Sequence, residues 1–452
     1  MKLNESTYRI ATMPQDMINR FIIVLIASML VVIVDYTSLF SYVYTLLLIM
    51  LVNRITKEAN GISPFWAFHF YLLFAVLFYA WQKLAVPADL GLSGQINGAA
   101  DDTIYYSVFS LKVKPYFCSW AGDSYTFVDF LEFIYPFKIY TPLNIVIVNL
   151  LGTAFLPVYT YSLSLELFKS RQIAKRSAVL LLACPFIIYY GCIILRDIWV
   201  VTLVIASLYY FLTRKYMPFI IAISILAFLR LGSVIFIVAP VFLYLIYEFQ
   251  SKFKNRVAGI LISISFLGAF ATICFIALFP YIQELTNGKL EDGLIRQSFM
   301  IKLLQMDSNT FLVKLLVLPF PMNVLSLTAF FMLNPFLSLT FSLETVLHPL
   351  PIFTKVLTPI FLFTILPAMF RSMLQGIFSP SCKNLRLLIW MVIIIAFLLG
   401  TISLQIRHKT VLIPFMCILS AYGMFTPVRS TYSTLGNTMA VIIILLEILL
   451  VK

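Results

Sequence analysis

Three stretches of this 452-residue chain place arginine beside long apolar runs. Arg196 and Asp197 stand in Leu195-Arg196-Asp197-Ile198-Trp199. Arg230 closes a run in Phe228-Leu229-Arg230-Leu231-Gly232, and Arg407, His408 and Lys409 sit together in a third stretch. A guanidinium is a planar fork of donors that takes phosphate oxygens two at a time. The simplest ligand shared by these residues is therefore a lipid phosphate or diphosphate. The competing reading is snorkelling, in which an arginine at a helix end reaches the headgroups at little cost. A fourth stretch, Gly98-Ala99-Ala100-Asp101-Asp102-Thr103-Ile104-Tyr105-Tyr106, sets two adjacent carboxylates before aromatics. Neighbouring acids can titrate apart and leave one as a base. The same pair also reads as a helix N-terminus, where acids complement the dipole.

Other chemistries find less footing. His69, His348 and His408 are far apart, and no HExxH spacing occurs, so no metal is expected. His348 follows Glu344 by four residues, a structural pair if helical, but on the same side of the chain as the arginines. The six cysteines are dispersed without a CxxC spacing and read as packing residues. Gly91, Gly94 and Gly98 do not form the dinucleotide fingerprint, and no Walker A sequence is present. The net charge of +13 comes from short basic clusters between apolar runs rather than a basic stripe, which argues against nucleic acid as a partner.

The elements that must hold these residues are membrane helices. The chain is 62% hydrophobic and 11% charged, where soluble domains carry about 25% charged residues. A soluble enzyme, a disordered chain and a disulfide-built secreted protein are excluded. The unbroken apolar runs also exclude a barrel of alternating strands. With about 20 residues needed per crossing, the expected spans are 21–36, 38–53, 63–82, 142–168, 177–195, 198–213, 217–231, 232–249, 257–281, 352–370, 386–405, 410–426 and 436–451. The expected fold is all-α, a polytopic helical bundle of about 12–14 spans in a single membrane domain, 1–452. The run 311–340 contains Pro319, Pro321 and Pro335 and suggests broken or re-entrant helices. No cleavable signal peptide is expected at the first run.

Orientation follows from the basic loops. Lys2, Arg9, Arg20, Arg54, Lys57, Lys169, Arg171, Lys175, Arg176, Arg214, Lys215, Lys252, Lys254, Arg256, Arg371, Lys383, Arg386 and Arg429 fall on one side under a single alternation. The positive-inside rule makes that side, and the N-terminus, cytoplasmic. The opposite side holds most of the acids and two long loops, 83–141 and 282–351. These mix apolar and polar residues and are expected to form short amphipathic helices along the outer interface. The span before Arg230 is short, roughly 14 residues or about 21 Å, which puts Arg230 at or below that interface. Ionisable residues at membrane depth are costly and mark functional sites. Glu447 in the last span reads as a solitary residue near a helix end.

Asp101, Asp102 and Tyr105 in a long first outer loop, Leu195-Arg196-Asp197 opening a span, and Arg407 with Leu412 and Pro414 late in the chain form a pattern. It resembles the bacterial GT-C-like membrane glycosyltransferases and the Wzy-type O-antigen and capsule polymerases. The resemblance covers most of the chain as topology and only these short stretches as sequence. The doubled RX10G pattern of some polymerases is lacking, which leaves polymerase and single-sugar transferase both open.

The resemblance implies a glycosyltransferase of surface polysaccharide assembly in the bacterial cytoplasmic membrane, most readily a repeat-unit polymerase. Its donor and acceptor would be glycans on a polyprenyl phosphate or diphosphate, since nucleotide sugars do not occur outside that membrane. Further partners would be membrane lipids and a polysaccharide chain-length regulator. Asp101 or Asp102 would take the acceptor proton. Arg196, Arg230 and Arg407 would steady the leaving phosphate, with Asp197, Lys409, Tyr105 and His348 completing the substrate site. Family members differ in metal need, and no cofactor is expected here. A flippase for lipid-linked oligosaccharide is the rival reading. It predicts internal repeats and midplane cations. An assembly scaffold without an active site is the third, and it predicts that Asp102→Asn is silent.

Overall fold

The computed structural model describes residues 5–56, 61–85, 121–137, 141–250, 265, 322–333, 352–379, 382–402 and 406–450. Among them every regular element is helical and no strand occurs. The protein is an all-α, multi-pass membrane protein. Its helices are α1 (Glu5–Asp35), α2 (Leu39–Thr56), α3 (Pro64–Ala85), α4 (Ala121–Ile134), α5 (Pro142–Phe168), α6 (Arg171–Leu182), α7 (Pro185–Gly191) and α8 (Asp197–Leu212). They continue as α9 (Tyr216–Arg230), α10 (Ile235–Gln250), α11 (Met322–Leu333), α12 (Thr358–Phe378), α13 (Lys383–Ile402), α14 (Ile413–Phe425) and α15 (Ser430–Leu450). Short 3-10 segments lie at Tyr36–Ser38, Leu231–Val234 and Ile406–Val411, and a π turn at Ile352–Leu357 leads into α12.

Five helical segments among the described residues are long and apolar enough to cross a membrane, six with the bent pair α6–α7 counted as one. Helices fall on the expected spans, but α1 begins well before 21–36, α12 runs past 352–370, and the apolar helices at 198–213, 386–405, 410–426 and 436–451 are short ones, while 257–281 lies almost wholly outside the described residues. Two expected spans are not continuous helices. The stretch 177–195 breaks at Ala183-Cys184, where α6 and α7 meet at 60°. The stretch 410–426 begins as a 3-10 segment, and only Ile413–Phe425 is α-helical. Pro185 and Pro414 sit at N-terminal positions of the resumed helices, where the missing N–H is no loss. An apolar run reports burial in lipid or protein, not helical continuity.

The chain divides into two compact units. The larger comprises Met1–Ile237, Asn334–Ile389 and Gln405–Lys452, and the smaller comprises Val238–Leu333 and Trp390–Leu404. In the smaller, α11 is a short apolar helix, and the rest of the run 311–340, with Pro319, Pro321 and Pro335, lies outside the described residues.

The larger unit is built around α5. The apolar window of that helix is wholly buried inside protein, and it carries Asn144, Asn149, Thr153, Thr160 and Ser164, all buried. Around it pack α2, α3, α6 and α8, and α14 packs in turn on α6 and α12. At the periphery the polarity is reversed. Met17, Phe21, Leu25, Met29 and Ile33 recur every fourth residue of α1 and are all exposed. Leu435, Val441, Ile442 and Leu445 of α15 are likewise exposed. Such large contiguous apolar faces are rare on monomeric soluble proteins, and lipid is the solvent that they suit. Helix contacts are close where residues are small. A Cβ on Gly423 of α14 would sit 2.0 Å from the Ala368 carbonyl oxygen of α12, so those two backbones approach as only glycine permits.

The two ends of the unit are distinct. At one, Asn384 donates to the Leu167 carbonyl, the Phe168 and Tyr422 rings lie 4.8 Å apart, and the Arg176 guanidinium sits 5.1 Å over the Phe425 ring. This end gathers loops expected to be basic. At the other end, Ser38 meets Thr141, Tyr44 donates to the Ile134 carbonyl and Arg230 reaches Asp197.

Candidate functional site

The chain between α7 and α8 is not helical, and its backbone is buried. In such a place every carbonyl needs a protein donor. Asn149 of α5 supplies two, its Nδ2 donating to the carbonyls of Ile193 at 2.8 Å and Leu195 at 3.3 Å. Its Oδ1 accepts the indole N–H of Trp199, the third residue of α8, at 2.7 Å. One turn along α5, Thr153 donates to the Gly191 carbonyl at 3.1 Å, and Thr202 of α8 donates to the Gly152 carbonyl at 2.9 Å. Gly152 is needed there, because a Cβ would stand 2.8 Å from the Trp199 ring. These bonds fix where α8 begins, and therefore where Arg196 and Asp197 sit.

Asp197 opens α8 and is 4% exposed. Its carboxylate complements the N-terminal dipole of its own helix. Arg230, at the end of α9, lies across from it, with Nη1 3.4 Å from Asp197 Oδ1 and 3.0 Å from His408 Nε2. His408 Nε2 is itself 3.8 Å from the same carboxylate oxygen. Because a guanidinium only donates, His408 Nε2 must accept in this arrangement, which puts its proton on Nδ1. The Arg230 side chain is 27% exposed, while those of Asp197 and His408 are 6% and 10% exposed. Arg230 is therefore the member of the cluster that solvent or a ligand reaches most readily.

His408 belongs to the 3-10 segment Ile406–Val411, which contacts α7, α8 and α14. His408, Lys409 and Thr410 are buried, and Lys409, 1% exposed, is among the largest fully buried side chains. Lys409 lies within electrostatic range of the Cys184 thiol at the α6–α7 break. In sequence they stand at a turn between two apolar runs; in the structure they are buried where the 3-10 segment meets α7, α8 and α14. Tightly wound 3-10 backbone leaves carbonyls and N–H groups that an α-helix would use, and burial among other helices is what makes that tolerable.

Of the residues singled out in the sequence, Asp197, Arg230 and Lys409 thus gather in one region, and Arg196 is half-buried beside them at the cap of α8. The backbone of Arg407 is in the 3-10 segment. Asp101, Asp102, Tyr105 and His348 lie outside the described residues. Most of the first long loop does too, but its last part forms α4, with Phe127, Val128 and Leu131 buried and Phe133 outward. This helix packs against α9, which carries Arg230, and against α5. Two residues were missed. His408 is one, and its signal in the sequence is its place between two cations, Arg407 and Lys409. Asn149 was passed over inside an apolar run, where a polar amide at membrane depth is itself a signal.

A second polar knot lies at the same end. Asp35 accepts from Thr37 and Ser38 in the α1–α2 turn and, at 2.7 Å, from Thr141 at the cap of α5. Asn144 donates to Thr141 and is joined to Ser41, which lies 2.8 Å from the Tyr135 hydroxyl. Every member is partnered, so the knot reads as a fastening of α1, α2 and α5 rather than a site. His69 of α3 bonds Tyr42 and the Phe65 carbonyl and is likewise structural. Among the described residues no group of histidines, cysteines and acids could hold a metal ion. No protein-family model matches the chain, and no curated protein or solved structure matches it either.

Proposed function

We propose that the protein is a membrane glycosyltransferase that uses glycans carried on polyprenyl phosphate or diphosphate, most readily as a repeat-unit polymerase of a bacterial surface polysaccharide. In this reading it lies in the bacterial cytoplasmic membrane, with the N-terminus cytoplasmic and the Asp197 end of the larger unit extracytoplasmic. The observation that carries it is the cluster of Arg230, Asp197 and His408 with Lys409 nearby, cationic in sum and set at the end opposite the basic loops. Positive charge is disfavoured on that side of a membrane protein unless it has work to do there.

The chemistry follows from the charges. The acceptor hydroxyl attacks the anomeric carbon, and the bond from that carbon to the phosphate oxygen breaks. Arg230, with Arg196 and Arg407 from the adjoining stretches, steadies the oxygen that leaves as phosphate or diphosphate. A partly dehydrated site makes those contacts stronger than they would be in water. Asp101 or Asp102 takes the hydroxyl proton; the loop that bears them ends in α4, which packs on the arginine-bearing α9. Chain-length control would come from a separate partner.

The test is the lipid-linked glycan pool of a deletion strain. Complete single repeats should accumulate, and polymer should return on complementation. Repeats lacking one sugar would mean a single-sugar transferase. Complete repeats confined to the cytoplasmic leaflet would mean a flippase, and an unchanged pool would end the reading.

A further inference from the structure

The Arg230 guanidinium does not wait for an anion with open hands. One of its nitrogens already faces a carboxylate and an imidazole together, Asp197 Oδ1 at 3.4 Å and His408 Nε2 at 3.0 Å. The carboxylate is buried, the guanidinium is the more exposed partner, and the buried Lys409 is the next residue after His408. Asp197 also sits on the N-terminal turn of α8, where backbone N–H groups favour negative charge. A phosphate oxygen would seek the same donors: the fork, the helix start and the neighbouring cations.

We propose that Asp197 is a built-in competitor, occupying the seat of a phosphate group on Arg230, so that anion binding is an exchange of carboxylate for phosphate. The proposal rests on the phosphate-site reading above and adds to it how that site is held when empty of substrate. At 3.4 Å the Arg230–Asp197 contact is longer than a well-made charge-assisted bond, which runs at about 2.7–2.9 Å. The guanidinium is also the more exposed partner of that contact, so an incoming anion can reach it. After exchange the carboxylate is not stranded, because His408 Nε2 lies 3.8 Å away and can take up a proton to pair with it. No covalent bond changes. The titratable groups on the elements that meet the His408 segment are Asp197, Tyr209 and Tyr210 of α8 with Arg196 at its cap, Tyr189 and Tyr190 of α7 with Cys184 and Cys192 at its caps, and Cys417 and Tyr422 of α14. Arg407 and Lys409 are on the segment itself and Arg230 reaches in from α9. Of these only Asp197 is an acid that offers negative charge near neutral pH.

The experiment uses the full chain in dodecyl maltoside micelles, titrated with dodecyl phosphate or with inorganic phosphate. Trp199, two residues from Asp197 and bonded to Asn149, is a fluorescent reporter within the site. Wild-type protein should bind dodecyl phosphate, and Arg230→Gln should lose that binding. Asp197→Asn, which keeps the shape and removes the charge, should bind about tenfold more tightly than wild type. The double variant should behave like Arg230→Gln. Tightening for both probes would mark a site for any phosphate, and tightening for dodecyl phosphate alone a lipid headgroup. Equal or weaker binding by Asp197→Asn overturns the exchange while leaving the phosphate site itself standing. Loss of binding in wild type and Asp197→Asn alike overturns the exchange, with the glycan pool still deciding the function separately. Should Asp197→Asn not fold, an infrared difference spectrum of wild type with and without dodecyl phosphate must show a carboxylate stretch shifting as the carboxylate leaves the guanidinium. An unchanged spectrum overturns the proposal.

Discussion

The two ends of the larger unit hold cations in opposite circumstances. At the Arg176 end they are outward or cap helices. Lys169 pairs with Glu166 while remaining 68% exposed, and Arg386 donates to the carbonyls of Gly376 and Ser379 where α12 finishes. At the Asp197 end, Lys409 is 1% exposed and Arg230 is shared between a buried acid and a buried imidazole. Cations at the first end interact with water, headgroups and the C-terminal dipoles of helices. Those at the second have been taken out of water and must be justified by what they touch. Charge near a membrane can therefore serve orientation or a site, and burial separates the two uses.

The largest effect should come from the scaffold beneath the site. Asn149→Leu removes the donor to two carbonyls and the acceptor for the Trp199 indole, all in a buried place. Leaving a buried polar group unpaired costs roughly 1–3 kcal/mol, so loss of about 3 kcal/mol is expected in all. Denaturant unfolding in detergent, followed by Trp fluorescence, checks it. A midpoint unchanged within error would mean that the chain at Ile193–Leu195 finds other donors. Asn384→Leu, which breaks a single bond to the Leu167 carbonyl at the opposite end, should cost less, about 1 kcal/mol.

A smaller effect separates the two ends by activity. Arg230→Lys keeps the charge but loses the planar guanidinium, whose Nη1 meets both Asp197 and His408. Polymer yield should fall about tenfold, equivalent to about 1.4 kcal/mol. Arg176→Lys, over the Phe425 ring, should leave yield within about twofold, since lysine also makes cation–π contacts. Polymer on a gel, normalised to protein abundance, reads both. Equal yields would make Arg230 another interfacial cation and dissolve the contrast.

Much of this was legible in the sequence. Long apolar runs mark the helices, because about 20 mainly apolar residues in a row are what a membrane crossing requires. The gathering of Asp197, Arg230 and His408 was legible only in part. They are 33 and 178 residues apart from Arg230, and what suggested their meeting was that each falls on the same side. The interior position of His408 and Lys409 could not be read from the run 410–426, because hydrophobicity does not distinguish a span from a short helix preceded by buried 3-10 backbone. Pro414 and Pro185, each just inside a helix start, were the available signals. The role of Asn149 was hidden differently. One amide in α5 looks like noise until the carbonyls that it serves, more than forty residues away, come beside it.

The smallest effect concerns two residues at the Arg176 end that a helix-stopping rule would not choose. Lys169 and Arg214 follow α5 and α8 with φ of 53° and 59°, the left-handed region that favours glycine. A non-glycine residue there costs roughly 1 kcal/mol. The Lys169–Glu166 pair, exposed as it is, returns only a few tenths of that, by about 0.2–0.5 kcal/mol. Lys169→Gly and Arg214→Gly should each stabilise the folded protein, by about 0.5 kcal/mol, seen as a slight rise in the unfolding midpoint. If the charge is kept for orientation, the double glycine variant should at the same time insert less uniformly. An impermeant thiol reagent would then label a cysteine engineered at position 170 from outside the cell in a fraction of molecules, where the parent shows none. A double variant that is more stable and still fully oriented would show that the neighbouring Arg171, Lys175 and Arg176 suffice to set topology, and the strained pair would lose its explanation.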